Sequence, residues 1–261
     1  MTKSDNYIKD TQRYGTKFIY FLSDFHLGVG SFEEEKIKEE KIVCFLQSIE
    51  TSAKRIFLLG DIFDFWFEYY STIPKGFVLF QAQIKHMVQQ GIVVDYFCGN
   101  HDLWQKDYFT KELGVIIHRQ RYETFVFDEK TFVIGHGDGL DAKDIGYKIM
   151  DAVFSNRLSW WLFSLFPACV GLGIARHWSR NNRRKHKKYD MKDLKEKEPM
   201  YKFCQKYLET KHADYFLFGH RHIKKEFLLK SGTKYINTGC WIGDSPYAVW
   251  DSKELLLKKF E

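Results

Sequence analysis

The sequence predicts an α/β (or α+β) fold in one large domain, and two features of the 261-residue chain support this prediction. Short apolar runs typical of buried strands alternate with longer segments of helical periodicity. Four of these runs end in a glycine followed by Asp, Asn or His, as in Leu59-Gly60-Asp61 and Phe218-Gly219-His220. Residues at strand ends meet at an edge of the sheet, which is where α/β folds gather their functional sites.

The first half of the chain contains three predicted strands and two predicted helices. Apolar runs predict strands over residues 17–22, 56–59 and 92–98, and an Asp or Asn follows each strand closely. Residues 33–50 and 77–90 have the spacing of apolar and charged positions that is typical of helices. Gly91 follows the second helix, at a position where glycine commonly ends a helix.

The second half contains a hairpin, a long insertion and a series of short strands. Residues 124–127 and 131–134 flank Asp128-Glu129-Lys130, which predicts a β-hairpin. Residues 143–211 are apolar first and basic later, and we interpret them as a helical insertion, or cap, within a single domain spanning residues 1–261. Further strands are predicted over residues 214–218, 226–229, 234–238, 247–250 and 255–258.

Charge and composition indicate the class of partner. The net charge is only +6, but residues 176–188 contain seven Lys or Arg and no acid, which favours an anionic partner such as phosphate, nucleic acid or an acidic membrane. Aromatic residues make up 18%, so we expect some rings to line a groove or contact a membrane. The five scattered cysteines predict reduced, buried thiols in a cytosolic protein, and the polar N-terminus predicts no export.

Seven residues near the strand ends have side chains that bind metal ions: Asp24, His26, Asp61, Asn100, His136, His220 and His222. Oxygen and nitrogen donors without thiolates suit Mn, Fe or Zn, and the histidines argue against Ca or Mg alone. With Asp61 bridging, the set fits two ions about 3.5–4 Å apart, as in phosphoester hydrolysis. Gly60-Asp61 alone would be an ordinary turn. The prediction therefore depends on five such strand ends occurring in one chain.

In their order these motifs resemble those of the calcineurin-like metallophosphoesterase superfamily. The five blocks are Asp24-x-His26, Gly60-Asp61-x-x-Asp64, Gly99-Asn100-His101-Asp102, Gly135-His136-Gly137-Asp138 and Gly219-His220-x-His222. The resemblance implies a four-layer αββα sandwich of two mixed β-sheets. It also implies one metal site formed by Asp24, His26, Asp61 and His222, and a second formed by Asp61, Asn100, His136 and His220. His101, oriented by Asp64, would be the general acid or a phosphate clamp; a supporting role without proton transfer is the alternative.

Within that superfamily nearly the whole chain is similar to the UDP-2,3-diacylglucosamine pyrophosphohydrolases of lipid A biosynthesis. The shared segments are Asp61-Ile62-Phe63-Asp64-Phe65-Trp66, His136-Gly137-Asp138-Gly139-Leu140 and Tyr235-Ile236-Asn237-Thr238-Gly239. The resemblance implies two divalent ions, Mn²⁺ first and Fe or Zn as options, and cleavage of a pyrophosphate to UMP and 2,3-diacylglucosamine 1-phosphate. The residues expected to bind this nucleotide-linked glycolipid are Asn100, His101, Asp144, Tyr147, Arg176, Ser179, Arg183 and His220.

The predicted insertion fits such a substrate physically. An apolar helical stretch over residues 160–174 could shelter acyl chains, while the basic run grips phosphate oxygens and seats the protein on an anionic membrane. We expect a cytoplasmic protein bound peripherally to the inner membrane, with no obligate protein partner. Alternatively, the apolar stretch only packs the insertion onto the core, and the basic run is a solvated helix face.

One residue departs from the pattern of the lipid A hydrolases, in which Arg follows the metal-binding Asn. His101 stands at this position, as in general phosphoesterases. A divergent paralogue that cleaves another phosphodiester, a pyrophosphate or a nucleic acid is therefore the alternative function, although the apolar half of the insertion argues against nucleic acid. A non-enzymatic scaffold is a third hypothesis, and it predicts lost ligands, whereas all seven are present.

Overall fold

The computed structural model describes residues 8–9, 17–140, 152–153, 156–171, 173, 198–229 and 232–261. The strands are β1 (Ile8–Lys9), β2 (Phe18–Leu22), β3 (Ala53–Leu58), β4 (Val93–Phe97), β5 (Ile116–His118), β6 (Tyr122–Phe127), β7 (Lys130–Gly135), β8 (Tyr215–Phe218), β9 (Lys225–Leu228), β10 (Lys234–Asn237), β11 (Pro246–Trp250) and β12 (Leu255–Lys259). The helices are α1 (Phe32–Ile49), α2 (Val78–Gln89), α3 (Arg157–Ser164) and α4 (Pro199–Leu208), and a π-helical turn covers Phe109–Leu113.

The strands form two mixed six-stranded sheets. Sheet 1 has the order β12-β11-β2-β3-β4-β5, in which β2 to β5 are parallel and β11 is antiparallel to both of its neighbours. Sheet 2 has the order β1-β6-β7-β8-β10-β9, in which β6–β7 and β9–β10 are antiparallel and the other pairs are parallel. Because β2, β3 and β4 run in parallel, the residues that follow them emerge at one edge of sheet 1.

Three apolar layers hold the sandwich together. The two sheets face each other across a layer that includes Phe21, Phe57, Phe125 and Phe132, all fully buried. Helices α1 and α2 cover the other face of sheet 1, and α4 covers the other face of sheet 2. The predicted αββα sandwich of two mixed sheets is therefore confirmed.

Much of the aromatic content lies in these layers rather than in a groove. Phe21 stacks on Phe57 with ring centroids 5.2 Å apart, and burial of each such ring contributes about 1.5–3 kcal/mol. All five cysteines are free thiols, but only Cys204 is buried, so the expectation of buried thiols was wrong. None of the described helices has both the length and the apolar character needed to cross a membrane.

The predicted hairpin is present, and β5 was not predicted. Asp128 and Glu129 have φ angles of 48° and 64°, the left-handed backbone that a two-residue hairpin turn requires. β5 contains only three residues at the edge of sheet 1, too few to give a periodic signal. The described helices α3 and α4 both lie within the predicted insertion.

Candidate metal centre

The loops after five strands bring the predicted ligands together at one end of the sandwich. β2, β3 and β4 of sheet 1 lead to Asp24, Asp61 and Asn100, and β7 and β8 of sheet 2 lead to His136 and His220. The loops after β2 and β3 continue to pair beyond the sheet, since the Asp24 N–H donates to the Gly60 carbonyl at 3.1 Å. The ligand-bearing loops are therefore fixed by the same backbone bonding that builds the sheet.

Five of the seven predicted ligands have a left-handed backbone. The φ angles lie between 45° and 68° for Asp24, His26, Asp61, His220 and His222. Non-glycine residues rarely adopt this region, and each one costs on the order of 1 kcal/mol or more. Such strain collects at functional sites, where the surrounding structure holds side chains in a required direction.

The glycines before the ligands are required because neighbouring loops approach closely. Gly60 has a φ of 90°, and a Cβ there would lie 2.6 Å from Nδ1 of His136. A Cβ at Gly99 would overlap the carboxylate of Asp61. Any larger residue would push Asp61 away from the other ligands.

The first cluster consists of Asp24, His26, Asp61 and His222, whose donor atoms all lie within 4.8 Å of one another. Nε2 of His26 lies 2.9 Å from Nε2 of His222 and 3.8 Å from Oδ2 of Asp61. Nε2 of His222 lies 3.3 Å from Oδ1 of Asp24. Two carboxylates and two imidazoles thus converge on one point.

The second cluster consists of Asp61, His136 and His220, with Oδ2 of Asp61 shared between the two clusters. Nδ1 of His136 lies 2.6 Å from the Leu59 carbonyl, which can only accept, so Nδ1 carries the proton. Nε2 is then the ring atom that faces the second cluster, 3.3 Å from Oδ2 of Asp61. The His220 ring packs edge-on against the His136 ring.

The donor atoms of both clusters fit bound cations. Oδ1 of Asn100 and Nε2 of His136 are buried and have no hydrogen-bond partner among the described residues. Buried polar atoms are nearly always satisfied, so these two atoms, each beside cluster ligands, are suited to bind a cation. A divalent cation satisfies carboxylates, an amide oxygen and imidazole nitrogens together, and this donor set suits Mn, Fe or Zn.

The carboxylates of the clusters have lowered pKa values despite their burial, and anionic carboxylates suit a cation. Burial raises the pKa of Asp24, but contacts with His222 and His26 hold it below its ordinary range. Burial likewise opposes ionisation of Asp61, yet the charges of His136 and His101 keep its pKa well below the usual value. Burial lowers the pKa of His220 to about 3, so this imidazole is neutral and available as a ligand.

His136 carries a proton that a metal ion would displace. Burial lowers its pKa, but the negative charge of Asp61 outweighs burial and raises the pKa well above the ordinary value. A metal ion requires the neutral imidazole, so binding at this cluster releases a proton.

His101 and Asp64 lie beside the first cluster. Nδ1 of His101 donates to the main-chain carbonyl of Asp64 at 2.9 Å, and the Asp64 carboxylate is 3.7 Å away. The same carboxylate lies 3.8 Å from Nδ1 of His26. Burial lowers the pKa of His101 to about 4. Asp64 thus contacts the His101 ring through its main-chain carbonyl and also brings its carboxylate close to the ring.

Helix α1 holds the loop that carries His26. The Glu35 carboxylate accepts from the N–H groups of Gly28 and Gly30 at 2.6 and 2.7 Å, and Lys38 donates to the His26 carbonyl at 2.7 Å. Neither residue was predicted from the sequence. Acids in the first turn of a helix are common for reasons of helix capping and dipole, and a single lysine in a helix gives no distinctive signal.

The remaining predicted substrate residues lie outside the described part of the chain. These are Asp144, Tyr147, Arg176, Ser179 and Arg183. Their roles stay predictions. Of the predicted substrate contacts, Asn100, His101 and His220 lie in the loops of the two clusters.

Comparisons with known proteins identify the family. No protein-family model matches the chain. A UDP-2,3-diacylglucosamine hydrolase from Porphyromonas gingivalis is 32% identical over 259 residues, which cover 93% of this chain and 97% of that relative. A UDP-2,3-diacylglucosamine hydrolase from Histophilus somni is 26% identical over 210 residues, covering 79% and 84%. Among solved structures, a dimetal phosphatase from Danio rerio has a TM-score of 0.47 at 10% identity, covering 94% of this chain and 96% of that one.

Similarity at 32% identity extends along nearly the full length of both chains. The chain therefore belongs to the UDP-2,3-diacylglucosamine hydrolase family.

Proposed function

We propose that this protein hydrolyses the pyrophosphate bond of UDP-2,3-diacylglucosamine to UMP and 2,3-diacylglucosamine 1-phosphate, a reaction of lipid A biosynthesis. The observation that carries the proposal is the pair of buried clusters sharing Asp61, in a chain that is 32% identical to a hydrolase named for this substrate. Buried carboxylates and imidazoles that converge on two neighbouring points and share one carboxylate are typical of dinuclear hydrolytic sites.

Two divalent cations, Mn²⁺ in the first instance, are the proposed cofactors. Asp24, His26, Asp61 and His222 hold one, and Asp61, Asn100, His136 and His220 hold the other. When bound, such cations neutralise charge on the phosphate oxygens and lower the pKa of water. Asp61 belongs to both sets, so its replacement disables both.

His101 is the residue proposed to act on the leaving phosphate. The Asp64 carbonyl accepts from Nδ1 of His101 and fixes the ring, which leaves Nε2 for the substrate. Either role requires a proton on Nε2, which a bound anionic phosphate favours. The protonated ring then donates this proton to the leaving oxygen or clamps that oxygen by a hydrogen bond. His101→Gln separates the two, because loss of a general acid costs about 10²–10⁴-fold in rate. A loss below about tenfold indicates a clamp.

The exposed apolar residues of helix α3 favour the proposal that the substrate is a lipid. Its inner side docks through Phe163, whose ring centroid lies 4.7 Å from those of both Phe67 and Trp104. Phe67 and Trp104 belong to the loops that carry Asp64 and His101, so α3 packs against these two loops. The outer side chains of Leu158, Trp161 and Leu165 are 57–62% exposed. Exposed apolar clusters of this kind mark contact with a ligand, a partner or a lipid surface.

The proposed location is the cytoplasmic face of the inner membrane, reached by peripheral binding. The apolar side of α3 enters the lipid interface and shelters acyl chains. The basic run over residues 176–188 lies outside the described residues, and its seven Lys or Arg would attract anionic headgroups. This arrangement places the clusters close to a substrate whose acyl chains are embedded in the bilayer.

The test is release of UMP from UDP-2,3-diacylglucosamine in mixed micelles containing Mn²⁺. We expect turnover by the wild-type protein and no release by Asp61→Ala. The deacylated analogue, UDP-glucosamine, is the matched substrate control, and it should be cleaved at least about tenfold more slowly because it lacks the buried acyl groups. Equal cleavage of both would contradict a lipid substrate.

A second candidate function is favoured by His101, which stands where Arg is expected. The protein would then be a phosphodiesterase or nuclease that uses the same clusters. Turnover of a simple aryl phosphodiester or of DNA or RNA, with no UMP released from the glycolipid, would support this function.

A further inference from the structure

Asp102 has no role in the function proposed above, yet it is fully buried and lies two residues beyond Asn100. Its carboxylate accepts four hydrogen bonds. Oδ2 accepts from the N–H groups of Ile62 at 2.8 Å and Phe63 at 3.3 Å, and from the Tyr96 hydroxyl at 2.5 Å. Oδ1 accepts from the Gly99 N–H at 2.8 Å.

These four donors come from the two loops that carry the central ligands and from β4. Ile62 and Phe63 directly follow Asp61, and Gly99 directly precedes Asn100. Asp102 therefore ties the loop after β4 to the loop after β3, and it closes its own loop back on Gly99.

Asp61 in turn accepts a hydrogen bond from the backbone of the loop that carries Asp102. Its Oδ1 accepts from the His101 N–H at 2.9 Å, while its Oδ2 faces His136 and His26. Each loop thus supplies one carboxylate to the backbone of the other. This reciprocal clamp sets the distance between Asp61 and the Asn100–His101 segment.

A carboxylate side chain matches this arrangement of donors without leaving one of them unpaired. Carboxylate oxygens only accept, and four donors point at them. An asparagine would keep one accepting oxygen and turn an NH₂ group towards backbone N–H donors, which leaves buried donors unsatisfied.

We infer that Asp102 is a positioning residue that holds the Asn100–His101 loop against Asp61 and thereby sets the affinity of the second metal site. The inference rests on the proposed dinuclear function. It predicts that loss of Asp102 weakens the ion held by Asn100, His136 and His220 before it affects the ion held by Asp24, His26 and His222.

The experiment measures Mn²⁺ binding by calorimetry and Mn²⁺-dependent UMP release for Asp102→Asn. The matched control is Asp95→Asn. Asp95 is also fully buried and lies on β4, and none of its described bonds reaches either cluster. We expect the second Mn²⁺ to bind Asp102→Asn at least about tenfold more weakly, with activity restored at high Mn²⁺. The control should bind both ions as the wild type does.

A purely structural role predicts a different result. If Asp102→Asn binds both ions with wild-type affinity while losing as much stability as Asp95→Asn, the inference is wrong. If the wild type itself binds fewer than two ions, the dinuclear function fails and the inference fails with it.

Tyr96→Phe keeps the test decisive if Asp102→Asn does not fold. This variant removes one donor and leaves the carboxylate and the backbone bonds in place. We expect a weakening of the second Mn²⁺ by about two- to tenfold, restored by added Mn²⁺. Unchanged affinity in Tyr96→Phe, with Asp102→Asn unfolded, would overturn the proposed link between the clamp and the second site.

Discussion

The molecule contains two groups of charged and histidine side chains, and they differ in how their polar atoms are paired. The first is the pair of clusters at the strand ends. The second, which we call the charge network, consists of Arg55, Asp95, His118 and Glu123. In the network Arg55 donates to both oxygens of Asp95 at 2.6 and 2.9 Å, and His118 contacts Asp95 at 2.8 Å and Glu123 at 3.0 Å.

The difference separates a structural group from a ligand site. In the charge network each cationic side chain contacts an acid, and Arg55 also lies over the Phe57 ring at 5.0 Å. At the strand ends Nε2 of His26 faces Nε2 of His222 at 2.9 Å, and Oδ1 of Asn100 has no partner among the described residues. Residue type and burial are alike in the two groups. The unpaired atoms therefore distinguish the strand-end clusters, which are suited to bind a ligand, from the charge network.

The largest expected effect is that of Asp61→Ala on metal binding. Asp61 belongs to both clusters, so its loss should abolish high-affinity binding of both Mn²⁺ ions. Asp24→Ala, which removes a ligand of the first cluster alone, should leave the second ion. Calorimetric titration with Mn²⁺ checks both variants, and two retained ions in Asp61→Ala would break the comparison.

Replacing an acid of the charge network should lower the free energy of unfolding and leave metal binding unchanged. Asp95→Asn leaves Arg55 and His118 buried without their acid, which costs about 3–5 kcal/mol of unfolding free energy. Urea denaturation of the Mn²⁺-loaded protein measures the loss. Binding of both Mn²⁺ ions should stay unchanged at temperatures where the variant is folded. A stability loss below about 1 kcal/mol would show that the network is not a structural element.

The pH dependence of stability sharpens the contrast. Burial lowers the pKa of His118, but Asp95 and Glu123 outweigh it and raise the pKa to about 9 from the usual 6.5. Because this pKa is higher in the folded than in the unfolded protein, protonated His118 contributes fully to the free energy of unfolding below pH 6.5. This contribution is lost as the pH rises through 9. The loss is roughly 3 kcal/mol. Urea unfolding between pH 6 and pH 10 should show it in the wild type, and His118→Gln should flatten the curve over this window.

The smallest expected effect on turnover is at helix α3. Trp161→Ser with Leu165→Ser removes exposed apolar surface that we assign to lipid, so binding to anionic vesicles should fall by at least about tenfold. Release of UMP in micelles should change by less than about threefold, since neither side chain contacts the clusters. Leu228→Ser, at an exposed apolar residue on β9, is the matched control and should leave vesicle binding intact.

Sequence patterns predicted most of the sheet framework. The strands before Asp24, Asp61 and His220 are apolar runs long enough to give a clear signal. β1 and β5 were missed because two or three residues carry no period, and their pairing depends on neighbouring strands already in place. The π-helical turn over Phe109–Leu113 was missed for a similar reason, since its one ring, Phe109, packs against Phe63 and Trp66 from distant parts of the chain.

The candidate site was predictable as a set of residue types but not as a geometry. Asp, Asn and His after glycine-ended strands indicated the ligands, because each strand end is a local pattern. The contributions of Asp102, Glu35 and Lys38 were not visible. Each acts on backbone groups of another loop or of a neighbouring turn, and only the folded chain brings these groups within hydrogen-bonding distance. The charge network escaped prediction because its members lie on four different strands.

The most direct test of the account compares Mn²⁺-dependent UMP release by the wild type, Asp61→Ala and Asp95→Asn in one assay, at a temperature where all three are folded. The account predicts that Asp61→Ala loses at least about 10³-fold, or about 4 kcal/mol of transition-state stabilisation. Asp95→Asn should stay within about twofold of the wild type, because its network only stabilises the fold. Comparable losses in the two variants, or full activity in Asp61→Ala, would contradict the assignment of the strand-end clusters as the hydrolytic metal centre.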